Sequence, residues 1–158
     1  MVSKTVDASK VESYHVIRPG HLNVTNRLYG GLLMSWMDEL AGVTAKKHAE
    51  HSYLTVSADN FTFIKSARQN DTVVTQAKLI WVGSSSMEIQ VDAYVEYMDS
   101  SRELICTARF MMVAIDEDSK PTKVPQLILQ TEGAQGGGDD QAEIQRGDGV
   151  HGLIAVGE

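Results

Sequence analysis

The rhythm of apolar positions changes once along this chain, and the change separates two kinds of element. Between residues 31 and 48, Leu33, Trp36, Met37, Leu40 and Thr44 recur at the i, i+3, i+4, i+7, i+11 spacing of one buried helical face. Lys46, Lys47 and His48 fall in the last turn, where cations meet the negative end of the helix dipole. Gly30-Gly31 stands at the start, where backbone N–H groups have no helical partner. Beyond the helix, segments 53–65, 71–82, 87–97 and 103–115 are rich in β-branched and aromatic residues and predict four strands. Met87, Ile89, Val91, Ala93 and Val95 alternate with Glu88, Gln90, Asp92, Tyr94 and Glu96, as in a strand with one buried and one wetted face. Turn residues fill the breaks at Arg68-Gln69-Asn70-Asp71, Gly83-Ser84-Ser85 and Met98-Asp99-Ser100-Ser101, and such short loops imply antiparallel neighbours. A short strand at 13–18 precedes the helix. A helix apolar on much of its circumference must be wrapped, and a curved antiparallel sheet is the available wrapper. The expectation is an α+β fold with no internal repeat.

Composition trims the functional classes. With 158 residues, a single domain is expected. No run approaches the roughly 18 apolar residues of a membrane span, and MVSKTVDASK lacks the apolar stretch of a secretory leader. One cysteine, Cys106, excludes an internal disulfide framework and a Cys-rich zinc module and suits a reducing compartment, so a cytoplasmic location is expected. The excess of acids, 21 against 14 Lys and Arg, argues against a nucleic-acid partner. That charge is uneven: from Glu132 onward six acids face only Arg146, leaving a nearly neutral remainder. The same stretch carries Gly136-Gly137-Gly138. The division predicts one domain over residues 1–131 and an acidic, glycine-rich, flexible tail over 132–158.

Candidate chemistry centres on the helix. Asp38 shares a stripe with Gly31, Met34, Ala41, Gly42 and Ala45, has no helical cation beside it, and has small neighbours that leave room for an approach. It is either a functional carboxylate or an exposed or interface aspartate. Glu39, beside Ser35, reads as a solvated acid. Asn23-Val24-Thr25-Asn26 offers loop amides ahead of Gly30-Gly31, explicable as a turn or, together with the helix start, as a place that polarises a carbonyl. His48 and His51 lie at a helix end without a third ligand, so capping or exposure outranks metal binding and no metal site is expected. GxSxG, Walker A, GxGxxG and HExxH motifs are absent. Cys106 reads as strand packing.

Several spaced motifs in one order resemble a known family. Arg18-Pro19-x-x-x-Asn23, Tyr29-Gly30-Gly31-x-x-Met34-x-x-Met37-Asp38-Glu39-x-Ala41-Gly42, Val56-Ser57-Ala58-Asp59-x-x-x-Phe63, Ser85-Ser86-Met87-Glu88-Ile89, Ala108-x-Phe110 and Val124-Pro125-Gln126-Leu127 are similar to the hotdog-fold acyl-CoA thioesterases. The nearest group is the cytosolic long-chain (brain-type) acyl-CoA hydrolases and their bacterial relatives. The resemblance covers about residues 12–130. It implies a long helix wrapped by an antiparallel sheet, a homodimer with active sites at the interface, and assembly into a hexamer as a trimer of dimers. It also implies hydrolysis of acyl-CoA to free fatty acid and CoA. Asp38 would be the catalytic acid residue, acting as general base or nucleophile. Asn23 would come from the opposite subunit, and the Gly31 N–H would polarise the thioester carbonyl. Many relatives have Gly where this chain has Asn26, a loop substitution or a competing amide.

The remaining assignments are expectations of the same reading. Met34, Trp36, Phe61 and Phe63 would line the acyl channel. Gly30, Ser85, Ser86 and Lys65 would contact substrate or the CoA phosphates. No cofactor is required beyond the CoA of the substrate itself. The alternative is a non-catalytic acyl-CoA-binding module. A dehydratase of the same fold would need a histidine that the helix lacks before His48.

Overall fold

The computed structural model describes residues 3–128, and the tail predicted over 132–158 lies outside them. Helix α1 runs Gly30–Ala49, one residue beyond the expected helix at each end. It stops at Glu50, whose φ of 56° is left-handed and whose N–H closes back on the Lys46 carbonyl at 2.9 Å. Of the predicted stripe, Leu33, Met37, Leu40 and Thr44 are buried and Trp36 is half-buried, while Ala41, Gly42 and Ala45 of the Asp38 stripe are buried as well.

Five strands wrap this helix: β2 (Val11–Val16), β3 (Ser52–Phe63), β4 (Thr72–Val82), β5 (Ser86–Glu96) and β6 (Arg102–Ile115). Their order is β2-β4-β5-β6-β3, and every pairing is antiparallel. Alternation puts Val73, Ala77 and Leu79 of β4, Met87, Ile89 and Val91 of β5 and Ala108, Phe110 and Met112 of β6 into one core against α1. Each large apolar side chain so buried is worth about 1.5–3 kcal/mol. Cys106 lies in this core as expected, and burial pushes its thiol up to about 11. A parallel pair, β1 (Lys4–Thr5) with β7 (Leu127–Ile128), closes the helix C-terminus. There Lys4 donates to the carbonyls of Lys47 and His48.

His48 departs from the expected capping or exposed role. It is completely buried, and its Nε2 lies 2.7 Å from the Pro125 carbonyl. A carbonyl only accepts, so Nε2 carries a proton, while the buried Nδ1 is without a partner among the described residues. Burial holds its pKa below the usual histidine value, against the opposing pull of the Pro125 hydrogen bond. The ring thus ties the 121–128 segment to the last turn of α1.

Two strands are sheet edges. β3 is the conspicuous one: 12 residues long, paired only to β6, and mostly exposed along its length. Leu54 (49% exposed), Val56 (42%) and Phe63 (52%) lie on it, with Ile64 just beyond. Asp59 is its one charge, so the edge lacks the lysines and prolines that protect a free edge from pairing.

Candidate active site

Asp38 sits in the third turn of α1, facing β3. Thr55 Oγ1 donates to its Oδ1 at 3.2 Å. Thr55 can do so because it is on the helix-facing side of β3, as is Tyr53, whose phenol end lies against Gly42 one turn beyond Asp38. The periodicity could not assign this face, because the apolar Leu54 is exposed and the pairing with β6 shifts register between Thr55 and Ser57, which breaks the alternation at Val56. Thr55 was therefore missed in the sequence. The one available signal is its spacing, two residues after a tyrosine that a glycine on the helix accommodates.

The start of α1 forms a second centre. Leu32 and Leu33 both donate to the Tyr29 carbonyl, at 3.1 and 3.2 Å. The N–H groups of Gly30 and Gly31 make no hydrogen bond among the described residues, so both are free to bind an oxygen at the positive end of the helix. Gly31 lies beneath the Tyr29 ring, where a Cβ would come within 2.8 Å of it. A cleft of about 150 Å³ opens beside Gly30, lined by Leu28, Leu33, Phe63, Lys65 and Ser66 among others.

Asn23 lies in the loop before the helix. Its Oδ1 accepts from the Thr25 N–H (2.9 Å), the Thr25 hydroxyl (2.8 Å) and the Arg27 N–H (3.2 Å). Asn26 has φ 58°, a left-handed conformation that glycine or asparagine takes with least strain. Asn26 thus satisfies a backbone requirement of the turn.

The other residues singled out in the sequence fall in different places. Trp36 does not share the face of Asp38. It is held between His15, stacked at 4.0 Å, and His21, edge-on at 5.4 Å. Burial and the neighbouring His21 keep the His15 pKa low, opposed by Glu39. Phe61 meets Phe110 edge-on and stacks with Phe63, whose ring lies against Gly30. Met34 is on the Asp38 face and partly exposed. The Lys65 ammonium is engaged by Glu103 at 2.6 Å, and Glu103 also accepts from Tyr97. Ser85 ends the β4–β5 turn and Ser86 begins β5, with the Ser85 carbonyl bonded to the Ala114 N–H. Ser86 is opposite Val113 and Phe63 opposite Cys106, seven residues apart on β6, so about 23 Å separates them along the strand. Gly31 and Asp38 are likewise seven residues apart on α1, about 10 Å. Within one chain the set is therefore dispersed. Asp38 joins Thr55, Gly30 and Gly31 join Phe63 and the cleft, and no hydrogen bond links Asn23 to either pair. Among the described residues no group of three or more His, Cys, Asp or Glu could hold a metal ion.

The profile of the thioesterase superfamily matches residues 25–109. An uncharacterized acyl-CoA thioester hydrolase of Bacillus subtilis is 38% identical over 125 residues, which is 78% of this chain and 73% of that protein. The acyl-CoA hydrolase of Staphylococcus aureus, solved with butyryl coenzyme A and coenzyme A, superposes with a TM-score of 0.80. It is 29% identical, and the match covers 82% of this chain and 80% of that one. A hexameric acyl-CoA thioesterase superposes equally well, with TM-score 0.80, 32% identity, and 84% and 85% of the two chains covered. The Staphylococcus enzyme has also been solved with alanine replacing an asparagine, an aspartate fifteen residues further on, and a threonine seventeen beyond that. Asn23, Asp38 and Thr55 stand at the same two intervals.

Proposed function

The chain belongs to the thioesterase superfamily, and from that premise we propose how its residues divide the work. The protein is an acyl-CoA thioester hydrolase of hotdog fold, releasing a free acid and CoA. The observation that carries the residue assignment is the Asp38–Thr55 pair, which the fold assembles at the spacing found in the Staphylococcus enzyme.

The active unit is a homodimer paired through β3. An exposed strand edge of this length, with Asp59 as its one charge, is a template for a second copy. Two-fold, antiparallel pairing reverses one protomer against the other, so groups at opposite ends of a single chain meet across the interface. The Gly31 end of one α1 then faces the middle of the other, and the β4–β5 turn of one copy approaches the cleft end of its partner. Leu54 is turned away from α1, so edge pairing alone leaves it open; packing of dimers into a hexamer covers it.

In that dimer the thioester carbonyl rests on the N–H groups at the start of α1, which stabilise the oxyanion as water adds, an effect worth about 3 kcal/mol for one well-placed donor. Asp38, held by the Thr55 hydroxyl, takes the proton of water or attacks the carbonyl itself. Asn23 of the second copy donates from its amide to the carboxylate or to the reacting oxygen. Collapse of the tetrahedral adduct expels the CoA thiolate, which takes up a proton; where Asp38 is the nucleophile, water then hydrolyses the mixed anhydride, releasing the acid and restoring the carboxylate. The reaction so drawn needs water, a carboxylate and a polarised carbonyl, and neither metal nor cofactor. It takes place in the cytoplasm, where Cys106 stays reduced.

A colorimetric free-thiol assay over acyl-CoAs of increasing chain length tests this reading. The wild type should release thiol, and the profile gives its chain-length preference. Saturable acyl-CoA binding with no thiol released at any length would instead make the protein a binding module.

A further inference from the structure

We infer that Thr25 is a positioning residue: its hydroxyl and N–H, with the Arg27 N–H, fix the Asn23 amide so that Nδ2 faces outward as a dedicated donor. The inference rests on the thioesterase reading above, since it concerns how Asn23 serves that reaction.

Three donors converge on one terminal atom of the Asn23 side chain: the Thr25 N–H at 2.9 Å, the Thr25 hydroxyl at 2.8 Å and the Arg27 N–H at 3.2 Å. Backbone N–H groups can only donate, so that atom is the carbonyl oxygen Oδ1 and the other is Nδ2. The choice between the two amide orientations is thereby settled by chemistry. With three donors on it, Oδ1 has no remaining capacity to accept a hydrogen bond from water, which excludes Asn23 as an acceptor in the reaction. Its Nδ2 hydrogens donate to nothing among the described residues. The loop backbone reinforces this arrangement. Asn23 N–H donates to the Arg27 carbonyl at 2.8 Å, Asn26 N–H donates to the Asn23 carbonyl at 3.0 Å, and the left-handed Asn26 closes the turn. Of these contributors only the Thr25 hydroxyl comes from a side chain, so it is the one a substitution can remove while leaving the backbone bonds in place.

The test compares Thr25→Val, which keeps the shape and loses the hydroxyl, with Thr25→Ser, which keeps the hydroxyl, and with Asn23→Ala. Each is assayed on the acyl-CoA that the wild type turns over fastest. Asn23→Ala should lower kcat by roughly two orders of magnitude. Thr25→Val should lower kcat by about tenfold with KM within twofold of wild type, and Thr25→Ser should restore most of it. A purely structural role would raise KM or lower the amount of folded enzyme, and serine would offer no rescue. In 15N-labelled protein the Asn23 side-chain NH2 pair should be sharp and dispersed in wild type and serine variants, and averaged in Thr25→Val. Wild-type kcat in Thr25→Val alongside an impaired Asn23→Ala would overturn the positioning role while leaving the thioesterase reading intact. Full activity of Asn23→Ala would remove both Asn23 and Thr25 from the reaction. Absence of thiol release from the wild type would sink the thioesterase reading itself, and the NH2 signals would still report whether Thr25 orients the amide.

Discussion

Asp38 and Thr55 meet through one hydrogen bond between a helix and an edge strand, and their substitutions should separate charge from orientation. Asp38→Asn keeps the shape and removes the carboxylate, so turnover should fall by at least two orders of magnitude while the circular dichroism spectrum is unchanged. Near-normal turnover would take Asp38 out of catalysis. Thr55→Val should cost about tenfold in kcat, near the 1.4 kcal/mol of a single hydrogen bond to a charged group. Asn26 offers a contrasting test. Asn26→Gly suits the left-handed backbone and should leave the melting temperature within a degree or so, whereas Asn26→Ala should destabilise by about 1 kcal/mol in urea titration. At this scale Asp38, Asn23 and Gly31 could be singled out as candidates because they belong to spaced motifs. Thr55 was not, since a lone threonine in a β-rich segment looks like any other strand residue until the helix it faces is known.

The packing of α1 on β3 depends on Gly42. A Cβ there would run into the hydroxyl end of Tyr53. Gly42→Ala should therefore destabilise by roughly 1–3 kcal/mol through overpacking. Adding Tyr53→Val to the same chain should recover part of the loss, a coupling that a double-mutant cycle would measure. At the other end of the helix, His48 links stability to pH. Its folded pKa lies below the ordinary histidine value near 6.5, so as pH falls through about 6.5 the unfolded chain takes up a proton that the folded chain does not. Stability therefore decreases from neutral pH towards 5, and His15, lowered for the same reason, adds to the slope. Gln places a neutral N–H near Nε2, so His48→Gln should show a shallower loss of urea midpoint between pH 7.5 and 5.5 than wild type. Equal slopes would mean that His48 is not the group responsible. The helix and four strands were readable from apolar periodicity to within a few residues. The buried, bonded state of His48 was not, because its partner, Pro125, is distant in sequence and comes near only through the fold.

At the level of the whole molecule, the proposed dimer predicts that each site draws residues from two chains. Equimolar Asn23→Ala and Asp38→Ala proteins, each inactive alone, should regain activity when co-refolded. A mixed dimer then holds one intact site, so statistical mixing should restore about a quarter of wild-type turnover. A site contained within one chain would give none. A charged substitution on the exposed edge strand, Val56→Arg, should lower the mass seen by sedimentation and abolish turnover with it, while Val24→Arg, at a fully exposed loop position, should change neither.

The sequence by itself determined what depends on local order. Helix and strand follow from the period of apolar residues, the turns from their glycine, asparagine and serine content, and the chemistry of the family from motifs carried in fixed order. Only the tertiary structure decided what depends on which distant segments meet. It brought the Thr55 hydroxyl to Asp38, lodged Tyr53 on Gly42, buried His48 under Pro125, and set Trp36 between His15 and His21. It also left β3 as an unpaired edge. The physical reason is the range of each interaction. Periodicity records which side of an element leaves water, and only the completed fold specifies what that side then touches.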